Sequence, residues 1–371
     1  MPPPEGPVTA GRAVTPEPSV EDAFRVVACA AEGATRLEAR PAAAPGPGEL
    51  LLRLRWCGLC GTDLYKLRFA TAPAGTVLGH EVVGTVEALG DGAPFAVGDL
   101  VVAPHHVACG ACALCRRDAE TLCPAFREEQ LVPGGFSERV IVGARAAARA
   151  ARRLPSGMAE EAAVFLEPAA CVVRGVRRSG LPLADDGAPR VAAVVGGGSM
   201  GLLHLLVLRA LAPGVRVALA EPLRERRDLA ARLGADRVVA EARDLAAAAG
   251  ALADGRGADA VFDCVGDPAA LAAALAACRE GGTVVLFAHA PAGAPGSFDW
   301  DALFKRERRI VGTYSGGLAD QDLAWRLLES GRLDPRPLVT HRLPLSRFPE
   351  AVALCVERAA LKVLLEPDPA S

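Results

Sequence analysis

The chain has 371 residues, enough for two or three domains at roughly 150 residues each. Hydrophobic residues make up 51% and charged residues 23%, a balance that buries a large core and excludes disorder for the bulk of the chain. Lys and Arg total 41 against 44 Asp and Glu, a net charge of −3, so there is no basic excess to meet a phosphate backbone and no nucleic-acid partner is expected.

Residues 1–21 carry six prolines and no apolar core. They predict a disordered tail rather than a secretory or transit signal, and with it a reducing, cytoplasmic location. No run of about 18 apolar residues occurs, so no membrane span is expected. From Phe24 the chain reads as short strands: 24–29, 48–56, 82–89 and 100–102 alternate or run apolar, punctuated by Gly79, Gly84, Gly90 and Gly98. Helical spacing covers 160–178, and 181–190 is a connecting loop. The texture then changes. Strands at 191–195, 215–220, 259–264, 283–288 and 310–314 alternate with helices at 199–211, 223–233 and 268–278, the pattern of parallel βαβ units. One helix (321–330), a short irregular stretch and an apolar run at 360–365 close the chain. The fold class is therefore α/β: a doubly wound parallel sheet at 179–314, joined to a β-rich unit built from 22–178 and 315–371.

Eleven cysteines are too few for a disulfide scaffold of this length, and their number is odd. Four of them, Cys109, Cys112, Cys115 and Cys123, stand as C-x2-C-x2-C-x7-C. Thiolates at that spacing can converge on one centre and fill the closed tetrahedral shell of a structural zinc. An iron–sulfur cluster is the chemical rival, although cluster runs place their last cysteine at shorter spacing.

A second set of donors is dispersed. Cys60 lies in WCGLCGTDLY, His80 and Glu81 in GHEVVGTVEALGDGA, and Glu167 in FLEPAAC. Together they offer the sulfur, nitrogen and oxygen ligands of a catalytic zinc that keeps one position open. Gly196-Gly197-Gly198-Ser199-Met200-Gly201 is G-x-G-x-x-G between a buried strand and an apolar helix, the setting of a dinucleotide fingerprint. Gly196 permits the turn, Gly198 the approach of a pyrophosphate, and Gly201 close helix–strand packing. Glu221 follows Gly201 by 20 residues, where a carboxylate meets ribose hydroxyls and repels a 2′-phosphate. NAD is therefore expected ahead of NADP, with Arg224, Arg226 and Arg227 as the residues that argue the other way.

The stretch 79–93 resembles the zinc alcohol dehydrogenase signature G-H-E-x2-G-x5-G-x2-A, through Gly79, His80, Glu81, Gly84, Gly90 and Ala93. With C-G-L-C-G-T-D, the Glu-Pro pair and the four-cysteine lobe in the same order, residues 24–366 resemble the zinc-dependent medium-chain dehydrogenases, the sorbitol, threonine and butanediol dehydrogenases above all. The resemblance implies a catalytic domain of the GroES-like kind beside the Rossmann sheet, two zinc ions per chain, and a homodimer or homotetramer. It implies Cys60 and His80 as catalytic ligands, with Glu167, Glu81 or Cys171 completing the shell. Thr62 would take the proton of the substrate alcohol. Tyr65 stands where several relatives carry a histidine relay. Arg226 would pack over adenine, and Lys362 would reach the pyrophosphate. His106 matches a histidine of the threonine dehydrogenases and, with Thr62, Tyr65, Phe69 and Phe165, is a pocket candidate. The reaction implied is hydride transfer between a secondary alcohol (a polyol, diol, amino alcohol or sugar-type substrate) and NAD, giving a ketone or aldehyde. A lyase or epimerase that oxidises transiently, and a non-enzymatic binding protein on the same fold, are the two other readings.

Overall fold

The computed structural model describes residues 23–369 apart from 129, 185–186, 291–292, 294–295 and 297. The expected disordered tail lies outside the described residues. The chain begins with a hairpin, β1 (Phe24–Cys29) and β2 (Thr35–Arg40), followed by β3 (Leu50–Gly58), α1 (Gly61–Arg68), β4 (Glu81–Leu89), β5 (Leu100–Pro104), β6 (Arg139–Val142), α2 (Ala144–Arg149) and β7 (Arg152–Arg153). Then come α3 (Glu160–Ala163) and α4 (Leu166–Ser179). The single helix expected over 160–178 is thus two, parted at Val164–Phe165; both residues are wholly buried and turn the chain into the core.

The next stretch holds β8 (Val191–Val195), α5 (Ser199–Leu211), β9 (Arg216–Ala220), α6 (Arg224–Arg232), β10 (Arg237–Val239), α7 (Leu245–Leu252), β11 (Ala258–Asp263), α8 (Pro268–Ala277), β12 (Cys278–Leu286), α9 (Trp300–Lys305) and β13 (Arg309–Gly312). Its strands form one six-stranded sheet, β10-β9-β8-β11-β12-β13, parallel throughout. The spatial order 3-2-1-4-5-6 is that of a doubly wound dinucleotide fold. β8 is buried along its whole length, which is why its sequence is an unbroken apolar run rather than an alternation.

The chain closes with α10 (Leu318–Glu329), β14 (Val339–Pro344), α11 (Phe348–Val356) and β15 (Lys362–Glu366). The stretch expected to be irregular is therefore ordered. Pro344 ends a strand and Pro349 occupies the first turn of a helix, positions that proline tolerates. β15 pairs antiparallel with β3, so the last residues complete a seven-stranded sheet, β14-β15-β3-β4-β5-β7, with β6 also on β3. α4 and α10 bridge the two units: their apolar faces share one core with α5, β8 and β9, and with Val83, Val102 and Leu364 of the seven-stranded sheet.

Candidate active site

Cys60 is the residue before the first turn of α1, in an extended conformation. Its backbone N–H donates to Asp63 Oδ2 at 3.1 Å. Thr62 follows on that first turn, half-buried. His80 immediately precedes β4, which begins at Glu81. Gly79 makes this entry possible: its φ is +91°, and a Cβ there would lie 2.8 Å from the Phe136 nitrogen. The chain thus brings Cys60, His80 and Glu81 together, one ligand atom of each lying within 4.8 Å of the others. Sulfur, nitrogen and oxygen at this spacing suit zinc.

Asp63 orients the group. It is wholly buried, accepts from the Gly79 N–H at 3.4 Å and faces His80 Nδ1 at 3.4 Å. Burial acts to raise its pKa, but the facing imidazole and the Cys60 N–H hold it below the ordinary carboxylate value. A carboxylate on the far nitrogen of a metal-binding histidine fixes tautomer and ring orientation. The acidic residue three positions after Cys60 was the sequence signal for this role, and sequence reasoning passed over it.

Glu81 has a second partner. Lys362 Nζ donates to both its oxygens at 2.8 Å and to the Leu59 carbonyl at 3.3 Å. Lys362 is 2% exposed, and its ammonium, expected at a pyrophosphate, is engaged by Glu81. Glu167, on the first turn of α4, stands outside the 4.8 Å group. Burial raises its pKa, and the Cys171 thiol one turn on donates to Glu167 Oε1 at 3.3 Å. Cys171 is likewise outside the group, and burial holds its thiol well above the ordinary value. Phe165 is wholly buried, with Lys362 Nζ 5.6 Å from its ring centre.

In the four-cysteine lobe, sulfur separations are 3.5 Å (Cys109–Cys123), 3.5 Å (Cys112–Cys115) and 3.9 Å (Cys109–Cys115). Zinc–sulfur bonds of about 2.3 Å in a tetrahedron put sulfurs about 3.8 Å apart. The lobe is therefore shaped for one ion rather than for a multi-iron cluster. Amide N–H groups of Ala111 and Cys112 bring the Cys109 pKa down to about 6, which favours the thiolate that a metal requires.

At the fingerprint, a Cβ on Gly201 would stand 1.8 Å from the Gly196 carbonyl oxygen, so only glycine lets α5 seat against the turn after β8. Ser199 Oγ is buried and has no partner among the described residues, at the helix end where an anion is stabilised. Met200 lies beside it on the first turn of α5. Glu221, at the end of β9, accepts from Gly197 N–H at 2.8 Å and from Leu223 N–H at 3.0 Å. Arg226 donates to the carbonyls of Arg358 and Ala360 (2.7 and 3.0 Å), and Gly198 lies beneath its guanidinium. These features fit a dinucleotide.

Three histidines run outward from the metal donors. The His80 and His105 ring centres are 4.6 Å apart, His105 and His106 3.6 Å, and His106 lies 5.0 Å from Phe126. His105 was missed in the sequence, although the His-His pair marks it. Tyr65 stacks at 5.4 Å on His289, from the loop after β12, and lies tilted at 4.7 Å from Phe69. The relay position therefore holds an aromatic contact between the two units.

Residues 46–152 match the alcohol dehydrogenase GroES-like domain and residues 201–330 the zinc-binding dehydrogenase domain. A 2-dehydro-3-deoxy-L-galactonate 5-dehydrogenase of Pseudoalteromonas atlantica is 30% identical over 84% of this chain and 89% of its own length. A sorbitol dehydrogenase of Halalkalibacterium halodurans is 28% identical over 89% of this chain and 95% of its own. Among solved structures, a zinc-binding dehydrogenase from Sinorhizobium meliloti bound to NADP superposes with a TM-score of 0.81 at 27% identity, over 93% of this chain and 99% of that one. The chain belongs to the zinc-dependent medium-chain dehydrogenases. It is an alcohol oxidoreductase that works with zinc and a nicotinamide dinucleotide.

Proposed function

We propose that this enzyme oxidises a secondary alcohol of the polyol, diol, amino-alcohol or sugar type, using NAD, in the cleft between a catalytic unit (22–178 and 315–371) and a dinucleotide unit (179–314). The observation that carries the assignment is the convergence of Cys60, His80 and Glu81 at the start of the helix that bears Thr62. When bound, zinc acidifies an alcohol and the dinucleotide takes up its hydride. Cys60 and His80 hold the metal, and Glu81 or Glu167 supplies the carboxylate. Cys109, Cys112, Cys115 and Cys123 hold the second, structural ion. Asp63 keeps His80 turned toward the donors, and Lys362 restrains Glu81. Thr62 Oγ1 receives the alcohol proton.

Three arrangements support NAD over NADP. Glu221 is fixed by two backbone N–H groups where ribose hydroxyls would meet it. Arg226 is spent on the Arg358 and Ala360 carbonyls, and Arg227 on those of Glu221 and Pro222. Arg224 is 82% exposed and faces Asp228. None of the eleven cysteines is paired in a disulfide, which supports a cytoplasmic location. The assembly is a homodimer or homotetramer by resemblance to the family, and no helix among the described residues is long and apolar enough to cross a membrane.

The test is substitution of the donors. Cys60→Ser and His80→Ala are expected to abolish alcohol-dependent NADH formation while dinucleotide binding, followed by fluorescence titration, persists. Full turnover in either variant would overturn the assignment.

A further inference from the structure

Gln321, on the first turn of α10, is only 4% exposed, yet its carboxamide is half used. The Nε2 group faces two carbonyl oxygens, those of His106 at 3.3 Å and Gly316 at 3.4 Å. Two acceptors on that side fix the orientation of the amide, because its oxygen cannot bond to either. Gln321 Oε1 therefore points the other way, buried, and has no partner among the described residues. His105 Nδ1 and His106 Nδ1 are in the same condition. A buried polar atom left unpaired is costly, and groups of them in one place call for an explanation. These three belong to one continuous wall. Gln321 is tied to the His106 backbone, the His106 ring lies on His105, and His105 lies on the metal donor His80.

We infer that Gln321, with His105 and His106, forms a polar subsite that holds a second hydroxyl of the substrate, beyond the one being oxidised. Gln321 Oε1 can only accept, so the bound group must bring a donor. A neutral imidazole nitrogen donates or accepts as its tautomer dictates, which suits a hydroxyl, itself both donor and acceptor. An ammonium is served less well. The nearby carboxylate, Asp320, is already engaged by Arg174 and Arg177. The favoured substrate class is thus a polyhydroxylated carbon chain, ahead of an amino alcohol or a simple alkanol. This inference rests on the dehydrogenase reading above.

The experiment is a panel of secondary alcohols of one chain length: the mono-alcohol, the vicinal diol, a polyol and the matching amino alcohol. It is run on the zinc- and NAD-loaded wild type and on Gln321→Met and His105→Phe. A site built to bond a hydroxyl rejects the analogue that lacks it by a large factor, so the wild type is expected to favour the polyol over the mono-alcohol by about 100-fold or more in kcat/KM. Each variant is expected to lose at least about tenfold of that preference, chiefly through the KM for the polyol. The His105 variant leaves the Gln321 backbone bonds intact, so it reports even if Gln321→Met fails to fold. Equal loss across the panel would make Gln321 a purely structural support and overturn the inference, as would a wild type that prefers the mono-alcohol or the amino alcohol. If the wild type oxidises no member of the panel, the proposed substrate type falls and takes the subsite with it.

Discussion

His204 lies in the middle of α5 with nothing in the sequence to set it apart from an ordinary helix residue. The structure buries it completely between Phe262 and Phe287, with Nδ1 2.8 Å from the Met200 carbonyl. Burial brings its pKa down to about 4 from an ordinary 6.5, against a small opposing effect of the Met200 carbonyl. The imidazole is therefore neutral in the folded enzyme at neutral pH, and Nδ1 is the nitrogen that donates. The sign of the pH effect follows. Between about pH 6.5 and 4 the unfolded chain binds a proton here that the folded chain does not, so the contribution of His204 to stability is complete above pH 6.5 and is lost as pH falls through that window, on the order of 3 kcal/mol. His204→Phe removes that proton linkage. Its unfolding free energy is expected to fall less than that of the wild type between pH 7 and 4.5 in urea titrations. Parallel pH curves for the two proteins would refute the assignment.

Among the elements, α4 and α10 carry the most consequence. Asp320, on the first turn of α10, is wholly buried; Arg174 of α4 meets it at 3.2 Å, and Arg177 closes on its other oxygen. The same two arginines reach the four-cysteine lobe, Arg174 through the Asp118 carbonyl at 3.2 Å and Arg177 through the Asp118 carboxylate at 3.4 Å. Glu120 of that lobe accepts from the Ala319 N–H at 3.4 Å. The lobe is therefore fastened to the helix pair that bridges both units. Breaking one partner of a buried pair strands the other charge, so Asp320→Asn is expected to destabilise the enzyme by about 3–5 kcal/mol. A reduced denaturation midpoint with an unchanged slope would show it; an unchanged midpoint would rule out a structural role for the pair.

This is also the scale at which the sequence was least legible. Strands with unbroken apolar runs, such as Val191–Val195, were plain, because burial on both faces leaves no polar residue to confuse the pattern. The turn before α5 was plain for a steric reason, since only glycine clears the Gly196 carbonyl. The candidate metal donors were readable because ligand chemistry restricts residue type. β10 and α7 escaped notice: one is a three-residue edge strand, and the other an alanine run whose periodicity is flat. Gln321 and Asp320 could not have been found. Their roles come from partners more than 140 residues away, and no local pattern encodes such a meeting.

For the whole molecule, the two groups of candidate donors are expected to hold two metal ions of different duty. Metal analysis of the purified enzyme is expected to give about two zinc ions per chain and no iron. Cys112→Ser should bring the count to about one and lower the melting temperature. Cys60→Ser should also bring it to about one, with a smaller thermal effect, because its site helps to fasten fewer elements together. Iron in the wild type, or a single zinc ion unaffected by Cys60→Ser, would refute the two-site arrangement.

The pairing of β15 with β3 sets the order in which the enzyme can be built. All strands of the six-stranded sheet lie between residues 191 and 312, so that half is complete in the nascent chain before residue 320 is made. The seven-stranded sheet must wait, because β3 receives β15 only once residues 362–366 are made. Glu81 waits with it, for its ammonium partner arrives 281 residues later. Until then β3 lacks its β15 neighbour and Glu81 lacks its ammonium partner. The seven-stranded sheet is thus completed later than the six-stranded one.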